Sequence, residues 1–229
     1  MRKHPFIVGH YYHIYNRGTD KRVIFTDKQD LDRFFRSMKE FNTIDPIGSI
    51  WKINRLKKQL SAPSAQLVDV ICYCLNPNHY HFILSPLVDG GIEKFMQKLG
   101  AGYTMYFNEK YNRTGVLFQG KFKSILINSD KYLMYLSAYV NLNNRVHKLS
   151  ARSAQLLKGE DDKMFWKSSW EEFLGENQEK FCSKSIILGR YEKIDDYKEF
   201  AESVARGVLD KRSKDEQDFD GDLFIEELN

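Results

Sequence analysis

Hydrophobic and polar residues follow two kinds of period along the chain. In four stretches apolar, aromatic or β-branched residues alternate with polar ones or form short runs, which predicts strands: 10–16, 68–75, 79–85 and 116–127. In three others apolar residues recur every three or four positions, which predicts helices: 27–41, 91–111 and 130–143. Thr26 and Ser129 precede two of these helices and are suitable N-cap residues.

The predicted order is β-α-β-β-α-β-α, and its first six elements match the ferredoxin-like split pattern. We therefore expect an α+β fold, with a ferredoxin-like antiparallel sheet and helices on one face. This domain spans 1–148 and contains an insertion at about 43–66, which is rich in proline, serine and basic residues. A C-terminal extension follows over 149–229. It includes an amphipathic stretch at 193–209, and we expect its charged end, 211–229, to be mobile.

Composition supports a folded protein and limits its partners. Apolar residues make up 42% and aromatic residues 14% of the 229 positions, enough for one domain with a sizeable core. The formal net charge is +4, although the last stretch, 215–229, is strongly acidic. The rest of the chain is therefore more basic than the average, which is compatible with a nucleic-acid partner.

The cysteines and the chain start indicate a cytoplasmic protein. Three cysteines, two of them only two residues apart on a predicted strand, do not make a disulfide framework, so we expect buried reduced thiols. No apolar run is long enough to cross a membrane, and the first residues lack the apolar segment of a signal peptide.

The stretch 71–84 is the most informative of the chain and predicts a hairpin. Pro77, flanked by Asn76 and Asn78, suits a tight turn between two strands. Alternate side chains of a strand share a face, so His79 and His81 point the same way. Two such imidazoles can hold a divalent metal if a third ligand is found elsewhere. The alternative is that two histidines alternate on a half-buried strand without any metal.

The helix predicted at 130–143 offers the groups that the hairpin lacks. Tyr139 and Asn143 are four residues apart and so lie on one helical face. The amide oxygen of Asn143 is a suitable ligand for Mg²⁺ or Mn²⁺. The phenol of Tyr139 could attack a phosphate group and form a covalent intermediate. The alternative is a structural aromatic residue, since the chain contains 13 tyrosines.

Several of these segments resemble one family. The run from Asn76 to Phe82 resembles the His-hydrophobic-His motif of the HUH single-strand nucleases, and its Pro-Asn-His-x-His form resembles the IS200/IS605-like tyrosine transposases. Within that family the chain looks most like the REP-associated tyrosine transposases. Further segments resemble the family in the same order, so that the similarity covers about 8–175: 12–18, 24–30, 115–122, 139–143 and 166–175.

The resemblance implies an activity and its residues. Tyr139 would attack a phosphodiester of single-stranded, hairpin-bearing DNA, which leaves a 5′-phosphotyrosine and a free 3′-hydroxyl. His79, His81 and Asn143 would hold Mg²⁺ or Mn²⁺, and strand transfer would reverse the attack. The oligomeric state is left open, because a monomer and a homodimer are both compatible with the sequence. The chain departs from the family's pattern at two places, and both concern local geometry. Asn144 stands where the family often has proline, and the insertion at 43–66 is long.

Polar residues near the motifs are candidates for DNA contacts, because lysine, arginine, glutamine and asparagine serve both backbone and base recognition. The candidates are Asn16, Arg17, Gln119, Lys121 and Lys123. For each of them the alternative is a side chain that only faces solvent. Two other functions also remain open. The chain could be a domesticated protein that binds DNA hairpins without catalysis, or a hydrolase of small phosphoesters in which Tyr139 is only structural.

Overall fold

A computed structural model describes residues 5–45, 65–146 and 165–214 of the chain. The strands are β1 (Tyr11–Arg17), β2 (Val68–Asn76), β3 (His79–Pro86), β4 (Lys123–Ile127) and β5 (Lys167–Ser168). The helices are α1 (Lys28–Phe41), α2 (Gly91–Lys110), α3 (Asp130–Asn141), α4 (Asn143–Val146), α5 (Trp170–Leu174), α6 (Ser185–Leu188) and α7 (Ile194–Lys214).

The strands form one sheet in the order β4-β1-β3-β2-β5, and all neighbouring pairs are antiparallel. The order and the intervening helices confirm the predicted α+β fold with a ferredoxin-like sheet. The two-residue strand β5 extends the sheet beyond β2 through the pairs Cys74 with Ser168 and Leu75 with Lys167. The sequence did not predict this strand, because two residues are too few to show a periodic pattern.

Helices cover both faces of the sheet. The two crossover helices α1 and α2 pack on one face, where Phe34 and Phe95 join Phe82 of β3 in a buried core. Helix α3 packs on the other face together with α7, so that Leu136 and Tyr197 share a second core with Ile83 of β3. The first face agrees with the prediction of two helices on one side. The second core shows that the C-terminal extension closes the opposite side.

Polar contacts join α3 to the extension. The side-chain nitrogen of Asn141 donates to the hydroxyl oxygen of Tyr197 at 2.8 Å, and Ser169 Oγ donates to Asn141 Oδ1 at 2.5 Å. All three residues are buried, and a buried polar group that lacks its partner is costly. The extension therefore fixes the end of α3 through specific hydrogen bonds as well as through apolar packing.

Three predicted boundaries away from the histidine strand were wrong. Asp27, not Thr26, caps α1 and accepts a hydrogen bond from the backbone of Asp30. Strand β4 begins at Lys123 instead of 116, because the chain turns at Gly120, whose φ of 67° lies in the left-handed region. Helix α7 continues to Lys214, through part of the segment predicted to be mobile. The rest of that segment and most of the insertion lie outside the described residues.

The hairpin between β2 and β3 is held at its tip by the segment that follows β1. The carbonyl oxygen of Pro77 accepts hydrogen bonds from the backbone nitrogens of Ile24 at 2.7 Å and Phe25 at 3.1 Å. The carbonyl oxygen of Asn78 accepts one from Gly18 at 2.8 Å. These bonds fix the strand end from which the two histidines of the motif project. No helix in the described ranges is long and apolar enough to cross a membrane.

Candidate metal and tyrosine site

His79 and His81 lie next to each other on one face of β3. Their ring centroids are 5.0 Å apart and their planes meet at 85°. Tyr80, between them, packs into the core on the opposite face. Because paired residues of an antiparallel sheet share a face, Asn76 opposite His79 and Cys74 opposite His81 belong to the histidine face as well.

Asn143 reaches His79 from above this face. Helix α3 ends at Asn141, two residues earlier than predicted, and Leu142 separates it from the short helix α4, which begins with Asn143. The Asn143 Oδ1 atom lies 3.2 Å from His79 Nε2. The structure therefore places the Asn143 amide against the first histidine of the motif, although the helix does not run continuously to the amide.

Tyr139 approaches the second histidine. Its ring lies edge-on to the ring of His81, with 5.9 Å between centroids and 81° between planes. Tyr139 comes from the last turn of α3, one helical turn before Asn143. The two residues thus contact successive histidines along β3, and the structure brings together all four residues that the sequence proposed for the site.

Hydrogen bonds orient the ring of His79. The Asn78 Oδ1 atom lies 2.7 Å from His79 Nδ1, and the Asn78 amide nitrogen faces the carbonyl oxygen of Lys21 at 3.4 Å. In this arrangement Nδ1 carries the proton and donates it to Asn78, so the lone pair belongs to Nε2. Nε2 is the atom that faces Asn143, and a neutral imidazole nitrogen with a lone pair is a metal ligand.

His13 on β1 contacts His81, a contact that the sequence analysis missed. His13 Nε2 lies 2.9 Å from His81 Nδ1, and the two ring planes are nearly parallel, at 6°, with 5.1 Å between centroids. His13 is fully buried, and burial lowers its pKa to about 3, so it is neutral at physiological pH. If His81 binds a metal through Nε2, its Nδ1 carries a proton and donates it to His13. A partner of this kind orients a metal-binding histidine.

The donor atoms suit a hard divalent cation. Within the described ranges no group of three or more histidine, cysteine, aspartate and glutamate residues is placed to hold a metal, so a site here depends on the amide oxygen of Asn143. Mg²⁺ accepts such oxygens in octahedral geometry at about 2.1 Å, where neighbouring ligand atoms stand about 3 Å apart. The separation of 3.2 Å between His79 Nε2 and Asn143 Oδ1 fits that edge. The residues present therefore fit Mg²⁺ or Mn²⁺.

The site is nearly closed to solvent. The exposed fraction is 9% for His79, 3% for His81, 4% for Tyr139 and 1% for Asn143. A ligand can reach these groups only if neighbouring side chains move apart. Closure of this kind excludes water, which strengthens electrostatic interactions inside a site.

Lys123 and Arg17 lie on the histidine face among the candidates for DNA contacts. The Lys123 ammonium stands 5.5 Å from the ring centroid of Tyr15, and that ring is 5.8 Å from the ring of His81. Arg17 pairs with His79 in the register and donates from Nε to the side-chain oxygen of Gln119. These residues place positive charge on the same sheet face as the histidines.

The other candidates are placed differently. Gln119 and Lys121 are exposed but precede β4, so they do not alternate with Lys123 along one strand as predicted. Asn16 pairs with Tyr80 on the opposite face and is 9% exposed. Its amide donates to the carbonyl oxygen of Gly120 and accepts from the backbone of Arg17. A role of Asn16 in DNA binding stays a prediction, and its present contacts are structural.

The fold and the site together define a class of α+β proteins in which a His-x-His strand of a ferredoxin-like sheet faces a helix that bears a tyrosine. Comparison with known families finds a match: residues 52–143 match the family model described as "Transposase IS200 like". The predicted resemblance to the IS200-like transposases is confirmed over these residues. The matched segment contains all four proposed site residues, and the family supports a transposase role.

Similar solved structures were also found. One is a REP-associated tyrosine transposase bound to a REP hairpin, with 11% identity and a TM-score of 0.45 over 76% of this chain and 85% of that chain. Another is a provisionally assigned transposase from Deinococcus radiodurans, with 12% identity and a TM-score of 0.32 over 63% of this chain and 98% of that chain. Neither likeness is strong enough to assign a function. Among curated proteins, none matches the sequence.

Proposed function

We propose that this protein is a metal-dependent tyrosine transposase that cleaves and rejoins single-stranded, hairpin-bearing DNA. The observation that carries the proposal is the convergence of Tyr139, His79, His81 and Asn143 on one sheet face, within the segment that matches a transposase family. One similar solved structure is a REP-associated tyrosine transposase bound to a REP hairpin, so hairpin DNA of that type is the first substrate to test.

In the proposed reaction Tyr139 is the nucleophile. Its phenol oxygen bonds to phosphorus, the bond from phosphorus to the 3′-oxygen breaks, and a 5′-phosphotyrosine remains. The phenol loses one proton and the departing 3′-oxygen gains one, so no water or other reactant is consumed. Because one ester replaces another, the step is reversible, and a different 3′-hydroxyl can attack the phosphotyrosine and complete strand transfer.

The neighbouring residues position the reacting groups. His79, His81 and Asn143 would hold a divalent cation, which when bound polarises the phosphoryl oxygen and stabilises developing negative charge. The perpendicular contact between the His81 and Tyr139 rings restricts where the phenol can lie. Lys123 and Arg17 provide positive charge on the same face for the DNA backbone.

A non-catalytic hairpin-binding protein is the second candidate, and the closed site is the observation that favours it. The Tyr139 side chain is only 4% exposed, and a protein that only binds DNA does not need this side chain to be accessible. The two candidates differ in one measurable product, a covalent bond between protein and DNA. The same product separates the transposase from a hydrolase of small phosphoesters, which would turn over without forming an adduct.

The test uses the full chain, Mn²⁺ and a set of 5′- and 3′-labelled single-stranded hairpins. We expect a protein–DNA adduct on denaturing gels whose linkage maps to Tyr139, and no adduct with Tyr139→Phe. Tyr135→Phe is the matched control, because Tyr135 lies on the same helix one turn earlier and is half-buried. This control should form the adduct at the level of the unmodified protein.

The outcomes separate the candidates. Tyr139→Phe should still bind hairpins in a mobility shift, since the change removes one oxygen and keeps the ring. An adduct that persists in Tyr139→Phe would refute the assignment of the nucleophile. Hairpin binding by the unmodified protein without any adduct, over the whole hairpin set, would favour the binding protein over the enzyme.

A further inference from the structure

The side-chain amide of Asn76 contacts two of the proposed metal ligands at once. Its nitrogen Nδ2 lies 3.0 Å from His79 Nε2 and 2.7 Å from Asn143 Oδ1. The two latter atoms are themselves 3.2 Å apart. Both are lone-pair atoms, so the Asn76 amide holds them together by donating one hydrogen bond to each. The three atoms form a nearly equilateral triangle.

A triangle of this size matches one face of an octahedral coordination shell. Ligand atoms at about 2.1 Å from a cation, and at right angles to one another, stand about 3 Å apart. The three measured sides, 2.7, 3.0 and 3.2 Å, lie around that value. Two corners already carry ligand atoms. The third corner carries the Asn76 nitrogen, which has no lone pair available for a metal.

A rotation of the Asn76 amide places its oxygen at the third corner. The Oδ1 atom now faces the Cys74 thiol at 3.8 Å, a weak contact that the amide loses at little cost. After the rotation the amide nitrogen faces the Cys74 sulfur, which is a weak acceptor. Without a cation the present rotamer is preferred, because the rotated oxygen would face the lone pairs of His79 Nε2 and Asn143 Oδ1. A bound cation would reverse this preference.

We propose that Asn76 is an additional ligand of the divalent cation, with its amide oxygen completing a facial triad with His79 Nε2 and Asn143 Oδ1. The inference rests on the metal centre of the proposed function and adds a residue that the sequence analysis used only as a turn former. In the absence of the cation, the Asn76 amide nitrogen keeps the two other ligands at octahedral spacing. The site is thus organised before the cation binds.

The test measures Mn²⁺ binding to the full chain by calorimetry and counts the waters on bound Mn²⁺ by water-proton relaxation. Asn76→Leu retains much of the volume but offers no oxygen. We expect its dissociation constant to rise at least tenfold, because even residues that only orient ligands cost about 10–100-fold. We also expect one more water on the bound Mn²⁺. Asn76→Asp, which offers a carboxylate at the same place, should bind Mn²⁺ more tightly than the unmodified protein.

Asn108→Asp is the matched control for the added charge. Asn108 lies near the end of α2, where its amide donates to the carbonyl oxygen of Gly115. This variant should bind Mn²⁺ as the unmodified protein does. Circular dichroism of each variant establishes that the fold is retained, and Asn76→Asp keeps the test valid if Asn76→Leu does not fold.

Each outcome bears on one proposal. An Asn76→Leu protein with unchanged affinity and an unchanged number of waters overturns the role of Asn76 and leaves the metal centre intact. Weaker binding with an unchanged number of waters also overturns it, because Asn76 would then only position the other ligands. If the folded unmodified protein does not bind Mn²⁺, the metal centre itself fails, and the role of Asn76 fails with it.

Discussion

Replacing His13 by phenylalanine tests whether the orientation of His81 controls the metal site. Phenylalanine keeps an aromatic ring at this buried position, where the His13 ring now lies 5.1 Å from the His81 ring with 6° between planes. The change removes the nitrogen that lies 2.9 Å from His81 Nδ1. The imidazole of His81 then loses the partner that fixes both its proton and its ring orientation.

The expected magnitude follows from the burial of this pair. Loss of a residue that orients a metal ligand costs about 10–100-fold in affinity, or about 1.4–2.7 kcal/mol. The His81 N–H that loses its acceptor costs about 1–3 kcal/mol of folding stability. Part of that cost is offset, because His13 Nδ1 is itself buried without a hydrogen-bond partner and disappears in the variant. Metal affinity should therefore change more than stability.

The assay compares Mn²⁺ dissociation constants of the unmodified protein, His13→Phe and His13→Gln by calorimetry, with urea denaturation of each metal-free protein in parallel. His13→Gln is the control, since its amide oxygen can still accept a hydrogen bond from His81, and it should lose less affinity than His13→Phe. Equal Mn²⁺ affinities for the unmodified protein and a folded His13→Phe would refute the reasoning, because His81 would then need no partner on β1.

Two further predictions concern buried groups away from the site. Lys110→Met should lower the free energy of unfolding by about 3 kcal/mol, because its ammonium lies 2.7 Å from the fully buried Asp30 and 2.6 Å from Asp27; an unchanged midpoint in urea would contradict this. The native protein should not react with a thiol reagent at Cys72 or Cys74 at pH 8, because burial raises the pKa of Cys74 to about 12 and that of Cys72 well above its ordinary value. Reaction should appear only on unfolding, and labelling of either thiol in the folded protein would show that the core is open.

The sequence predicted the parts of the fold that repeat over many residues. Three strands and three helices show a clear period, and the histidines of β3 could be assigned to one face from alternation alone. Strand β4 was predicted too early because the alternation continues across Gly120, and only the backbone conformation there shows that the chain turns. Strand β5 consists of two residues and gives no periodic signal.

The candidate site was predictable where a motif carries it. His79, His81, Tyr139 and Asn143 follow from spacing and family resemblance, and the structure brings them together. His13 was not predictable, because its contact with His81 joins residues 68 positions apart and depends on the register of β1 against β3. Asn76 showed only the signal of a turn residue, and its contacts with two ligands required coordinates.

Strand β1 sets a limit on how the family segment can fold. Residues 52–143 match the transposase family, yet the sheet places β1, at Tyr11–Arg17, between β3 and β4. A fragment cut to the matched residues would leave the inner edges of β3 and β4 without hydrogen-bond partners, and unpaired edges promote aggregation. The two halves of its sheet would also be separated by an empty strand position. The family segment is therefore a unit of sequence similarity, whereas the cooperative folding unit begins with the N-terminal strand.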